Sequence, residues 1–248
     1  MQNKNTPSKA PQSKNLANAK LLNSNFQGQD FNKVDLRNAD LSGSNLRGAS
    51  LKEANLTDAK LKRVDLSGAD LNRAMLYKAD LSEADLTGAD LTHANLKDAQ
   101  LVETILDSAN LNHAKITGAN FNNANLKRSS LRAVNLRGAS FTEADLSESD
   151  FSFLFQKGSK KIEISDLSGA NLTRAKLVKA KMLKVDLSGA DLVGSDLSGA
   201  DLRQANLSGA DLNGANLKGT RLKGTDLRKA NLEGVKLNFF QKWLAILD

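Results

Sequence analysis

Cysteine is absent from the 248 residues. That excludes a disulfide framework and any thiolate metal site. Proline occurs twice, at Pro7 and Pro11, so nothing beyond residue 11 is broken by a pyrrolidine ring. Aromatic residues make up 4% of the chain, with one Trp and one Tyr; such a composition suits a narrow core tiled by Leu and Ala. The two histidines, His93 and His113, lack a third organised ligand and make a poor metal site. No run approaches the ~20 apolar residues of a membrane span, and no secretory hydrophobic segment stands at the N-terminus. The expectation is a cytoplasmic protein with no membrane partner. No phosphate-binding loop is legible, and Ser, Asp and Asn recur so regularly that their proximity carries no chemical information. The sequence therefore predicts no enzyme, no cofactor and no metal.

What the chain has in abundance is one spacing. From Asp186 it reads DLSGADLVGSDLSGADLRQANLSGADLNGANL, with leucine at 187, 192, 197, 202, 207, 212 and 217. Two residues before each Leu stands a small or medium residue, mostly Ala, with Asp or Asn between. At 3.6 residues per turn, positions five apart drift by roughly 140° around a helix and form no stripe. The Gly, Ser, Thr, Asn and Asp content opposes helix as well. A long flat strand fails because five is odd and its side chains alternate in twos. A short extended triplet followed by a corner does work. Ala190 and Leu192 then point inward and Asp191 outward, Val193 and Gly194 turn the chain, and Ser195 and Leu197 face inward again. Repetition winds the chain around its own leucines, and each unit buries its apolar side only against its neighbours.

This A(D/N)LXX pattern resembles the pentapeptide-repeat family over roughly Leu16 to Leu237, and dozens of repeats match. The resemblance implies an all-β, right-handed quadrilateral β-helix, with four pentapeptides to a coil and residues about twenty apart stacked. About 43 repeats would make ~11 coils and a rod ~50 Å long at the usual strand spacing. The family is abundant in cyanobacteria.

The frame divides the chain. Residues 1–15, with almost no apolar content, read as a disordered polar tail. A first repeat segment runs over 16–153 and a second over 165–238. Between them, residues 154–164 (LFQKGSKKIEI) are eleven extra residues by the repeat count. Gly158-Ser159 marks a turn between an aromatic arm and an Ile-Glu-Ile arm. That segment is either a projecting hairpin-like loop or a joint with Phe153 and Phe155 tucked onto the rod. Its candidate partner-binding residues are Phe153, Leu154, Phe155, Lys157, Lys160 and Lys161. Residues 239–248 abandon the pattern. Phe239, Phe240, Trp243, Leu244 and Leu247 fit one face of a short helix; the expectation is a helix over Phe239–Leu247 capping the last coil, with homodimerisation as a second role.

The formal charge of +7 is uneven: residues 1–150 carry 19 Lys+Arg against 18 Asp+Glu, and residues 151–248 carry 16 against 10. A candidate basic face comprises Lys176, Lys179, Lys181, Lys184, Arg203, Arg221 and Lys223. Its bland interpretation is a solvated, salt-bridged surface, because Asp201 lies 20 residues from both Lys181 and Arg221 and Asp196 lies 20 from Lys176. The sharper one is a surface for an acidic partner. No aromatic ladder accompanies it, which argues against direct nucleic-acid binding. The expected function is a non-enzymatic interaction or structural scaffold. The alternative comes from the resemblance: some family members mimic duplex DNA, bind a type II topoisomerase (gyrase) and protect it from quinolones, and some of these need a projecting loop. A DNA mimic should present a long acidic face, and this chain is basic.

Overall fold

The computed structural model describes residues 14–156, 158 and 160–247. The chain winds into a four-sided coil in which each side is one extended triplet and each corner a two-residue turn. Parallel bridges join residues 20 apart, as in Lys20 with Asp40 and Asp40 with Lys60. Eleven successive bridges descend one side from Asn15 to Ile246, a rod of about 50 Å at ~4.8 Å per strand. Lys14 and Asn15, assigned to the polar tail from sequence, already belong to the first coil: Asn15 pairs with Asp35, and the Lys14 carbonyl accepts from the Asp35 amide at 2.8 Å. The rest of that tail lies outside the described residues.

The five N–H groups of one repeat explain its composition. In the repeat from Asp35 to Ala39, the Leu36 amide donates to Asn55 O in the next coil (2.7 Å) and the Asn38 amide to Thr57 O (3.0 Å). The Ala39 amide closes the corner on Leu36 O (3.0 Å), and the Asp35 amide donates back to Lys14 O. The remaining donor, Arg37 N–H, goes to the Asp35 carboxylate at 3.1 Å. An Asp or Asn before each Leu is therefore an acceptor for the corner, since an unpaired backbone donor is costly. The second corner residue sits in the left-handed region, as at Gly189 (φ 61°), which is why glycine is frequent there.

Inside, the Leu and Ala positions form one continuous buried core from Phe26 to Leu227. Phe121 and Phe141 stack with centroids 4.9 Å apart and planes 7° off parallel. Buried hydroxyls at small positions, Ser195 excepted, are satisfied by backbone carbonyls, as with Thr104 to Leu81 O (2.9 Å) and Thr220 to Leu197 O (2.8 Å).

Two features depart from the coil. The first is a hairpin of β1 (Leu154–Phe155) and β2 (Ile162–Glu163), paired antiparallel with Phe155 opposite Ile162. Across it the bridges jump to a separation of thirty-one, Asn135 with Asp166 and Asp150 with Lys181, so every side continues in register. Buried Ser165 pins the base, its hydroxyl lying 2.8 Å from Leu131 O and 3.1 Å from Phe151 O.

The second departure is α1 (Phe239–Leu244), which ends three residues before the predicted Leu247. Its orientation corrects the sequence expectation. Phe239, Phe240 and Trp243 are 76, 68 and 74% exposed, Leu247 is also exposed, and Gln241 is the inward residue at 6%. The physical cause is the rod's open edge, which presents carbonyls as well as leucines. Gln241 Nε2 donates to Leu217 O at 2.7 Å and Thr220 O at 3.1 Å; a Phe ring has no donor to offer there and an indole only one N–H for the two carbonyls. After the helix the chain rejoins the coil. Leu244 O accepts from Gly224 N, and Ile246 pairs with Asp226. Among the described residues, no helix is long and apolar enough to cross a membrane.

Candidate interaction surface

The hairpin grows from one corner of the rod, the histidine corner, which also carries His93 and His113. Those two imidazoles stack at 4.8 Å and 7°. Burial, then the neighbouring His113 and Arg73, pushes His93 below the usual histidine range. The hairpin folds back over this column, so that Glu163 Oε2 on β2 lies 3.3 Å from His113 Nδ1. Arg132, on the same corner, donates from Nη2 to Phe153 O at 3.2 Å. Among the described residues, no group of three or more His, Asp or Glu is placed to hold a metal ion.

The hairpin residues do not all share one environment. Phe153 and Leu154 are half-buried, and Phe155 is 68% exposed, its ring meeting Phe153 edge-on at 5.3 Å. Lys160 and Lys161 are exposed; Lys157 lies outside the described residues. Neither alternative held for this segment from sequence is fully met: it is a hairpin, yet one arm is held against the corner.

The candidate basic residues separate into two groups. Lys176 lies on the side that follows Asp145 in the column, and Lys179 on the corner that leads from it to the side of Lys181. Lys181 and Arg221 share the side of Asp150 and Asp201. Lys184, Arg203 and Lys223 occupy the histidine corner just beyond it, as the bonds from Lys184 N to Arg203 O and from Gln204 N to Lys223 O show. Within the three coils that carry this second group, Asp201 is the carboxylate on that side and corner. Arg203 grips it twice, at 2.7 and 2.6 Å, and Arg221 at 3.1 Å. Burial pushes Asp201 up, but the Arg203 hydrogen bonds and the charges of Arg221 and Arg203 outweigh it and hold the carboxyl below its usual range. Among the described residues, Lys181, Lys184 and Lys223 have no carboxylate partner within 4.0 Å; Lys184 instead lies 5.2 Å from the Phe153 ring centroid.

Sequence reasoning missed a set of corner asparagines. Where the outward residue is Ser, Asn32, Asn112 and Asn122 of the preceding coil take over the corner amides of Lys52, Arg132 and Thr142 at 2.8–3.1 Å. Their signal is an Asn two positions after the residue that stacks on the Ser, and nothing within a single repeat reveals it.

A β-solenoid of five-residue sides defines the class. The chain belongs to the pentapeptide repeat family: the model "Pentapeptide repeats" matches in 8 copies over residues 15–48, 49–88, 84–123, 116–152, 165–204 and 205–238. It is similar to HetL, a pentapeptide repeat protein involved in heterocyst differentiation regulation from the cyanobacterium Nostoc sp. strain PCC 7120. That identity is 37% over 89% of this chain and 90% of HetL, with a TM-score of 0.37. Rfr23 from the cyanobacterium Cyanothece 51142 is 34% identical over 41% of this chain and 63% of its own, with a TM-score of 0.35. QnrB1, a plasmid-mediated fluoroquinolone resistance protein, is 22% identical over 76% and 88%, with a TM-score of 0.28. Among curated proteins, none matches the chain.

Proposed function

We propose that this protein is a non-enzymatic interaction scaffold whose partners are proteins. One observation carries the proposal. A rod that buries most of its leucines and alanines inside holds four aromatic rings well out in solvent, more exposed than any other large apolar side chain among the described residues: Phe155 on the hairpin and Phe239, Phe240 and Trp243 on α1. Exposed apolar clusters of this kind mark interfaces. Holding them on a rigid coil lowers the ordering cost of binding.

The test is capture of host proteins on the immobilised full-length chain and on a variant carrying Phe155→Ser, Phe240→Ser and Trp243→Ser. Proteins retained by the first and lost by the second support the scaffold. Identical sets, or none, reject it.

A second copy is the other occupant that the α1 rings favour, because a twofold pairing would bury the same aromatic patch on both chains. Light scattering decides it: a dimer that Trp243→Ser dissociates supports the pairing, and a monomer at ~100 µM removes it. The gyrase alternative needs a long acidic face. The side richest in Asp runs Asp30, Ser50, Asp70, Asp90, Asn110, Ser130, Asp150 and then Lys181, Asp201, Arg221, so its negative charge is diluted and then offset by cations. We expect gyrase supercoiling to be unchanged by this protein, with or without a quinolone; inhibition or protection would restore the alternative.

A further inference from the structure

Three stretches far apart in sequence meet along one edge of the rod. The Phe153–Phe155 pair stands at one end of it, on the histidine corner. Lys184, Arg203 and Lys223 follow in the next three coils, with Lys181 and Arg221 beside them. At the far end, Phe240 and Leu244 of α1 close a cleft of about 420 Å³ whose other walls include Arg203, Arg221, Leu222 and Lys223. The edge thus has an apolar station at each end and five cations along it, three of which also wall the far cleft, against two carboxylates: Asp150, which stacks on Lys181, and Asp201, which is already held by two arginines.

We propose that this edge binds an extended acidic segment of a partner protein, with an apolar side chain at each end. The inference rests on the scaffold proposal and specifies its partner. Four coil steps separate Phe153 from Leu244, about 19 Å at ~4.8 Å per step. An extended chain covers that in about six steps of ~3.3 Å each. The fitting segment therefore carries apolar residues about six positions apart, an even spacing that puts both on one face of the strand, and carboxylates between them. Charge complementarity selects the acidic centre, since cations outnumber carboxylates along the edge and, among the described residues, Lys181, Lys184 and Lys223 have no carboxylate within 4.0 Å. A rigid peptide backbone matches two apolar stations at fixed separation. A single-stranded nucleic acid would need stacking platforms along its length, and the middle of this edge is lined by cations instead.

The probe is a fluorescein-labelled heptapeptide, Leu-Glu-Asp-Glu-Asp-Glu-Phe, titrated into the protein at two salt concentrations. The expected result is saturable binding that weakens with salt. Lys184→Glu with Lys223→Glu should reduce affinity at least about tenfold. Lys60→Glu with Lys97→Glu, an equal charge change on other surfaces, should have little effect. Phe155→Ser and Phe240→Ser should each weaken binding, as should replacing both peptide ends by serine. All substituted side chains are at the surface, and an unchanged melting temperature verifies folding. Four outcomes overturn the proposal: no saturable binding, equal loss in the control pair, indifference to the terminal residues, or tighter binding of oligo-dT or anionic vesicles through the same lysines. Failure here with aromatic-dependent capture intact rejects the acidic-segment inference and leaves the scaffold standing.

Discussion

Gln241→Leu separates two ideas of how the rod ends. If the last coil chiefly needs apolar cover, leucine should serve as well as glutamine or better. If it needs hydrogen-bond donors, leucine should open the end. Gln241 Nε2 satisfies Leu217 O and Thr220 O, its Oε1 accepts from Asn238 N at 3.0 Å, and its own amide donates to Asn238 Oδ1 at 2.9 Å. Leucine removes the first three and keeps the last. Two carbonyls would be left under apolar cover at ~1–3 kcal/mol each in the worst case, and half of a reciprocal helix cap worth ~0.5–2 kcal/mol would be lost. Burying the leucine recovers ~1.5–3 kcal/mol. The balance is a local loss of about 2 kcal/mol, or roughly 30-fold in the opening equilibrium. Because each coil contacts only its neighbours, the loss should stay local. The assay is amide hydrogen exchange. Gly224 N, bonded to Leu244 O, and Leu227 N, bonded to Ile246 O, should exchange about 30-fold faster. Leu106 N, bonded to Asn125 O in the middle of the rod, should not change. Equal or slower exchange at Gly224 and Leu227 would refute the polar-cap reasoning.

Leu106 is fully buried, so Leu106→Ala should cost ~2–5 kcal/mol in denaturant unfolding; a loss under ~0.5 kcal/mol would mean the position is not close-packed. Buried Ser195 has a hydroxyl without a partner where most repeats carry Ala, so Ser195→Ala should raise stability by ~1 kcal/mol, and destabilisation would count against that burial. Excision of residues 154–164 joins Phe153 to Ser165 in register and should leave one cooperative unfolding transition, whereas an insoluble product would place the hairpin in the core. Stability should show two pH limbs. Asp226, held at about 2 by Arg228, contributes stability that is complete above about pH 4 and is lost as pH falls through about 2. His93, pushed down by burial, binds protons more readily unfolded, so stability falls as pH drops below about 6.5. Asp226→Asn and His93→Gln should each flatten its own limb, and unchanged limbs would contradict these assignments.

The fold was legible because each repeat states its own geometry. Leu36 and Ala39 reveal inwardness by spacing alone, and Asp35 reveals a turn by its chemistry. The in-register insertion was legible by counting, since eleven extra residues keep Asp150 above Lys181 on one side. The orientation of α1 was not. The stripe of Phe239, Phe240 and Trp243 looks like a buried face, because a hydrophobic pattern ranks apolar burial above everything else. The rod's edge has backbone carbonyls whose demand appears nowhere in residues 239–248, so Gln241 looks like an interruption of the stripe when it is the residue that docks it.

The interaction surface was hidden for a related reason. A coil converts sequence distance into position through one fixed period, so counting alone assigns Lys184, Arg203 and Lys223 to one corner. Aperiodic segments have no such rule. The direction in which β2 leans, bringing Glu163 to His113 fifty residues earlier, depends on contacts that no repeat encodes. The same holds for α1, which returns the chain to Gly224 and thereby brings Phe240 beside Arg203 and Lys223. Periodic sequence thus builds the ruler, and the two aperiodic segments set marks on it about 19 Å apart. Any partner that reads both marks must be nearly as rigid in its spacing as the rod itself, which is why changing the heptapeptide's length by two residues in either direction should weaken binding more than changing one of its central carboxylates to an amide.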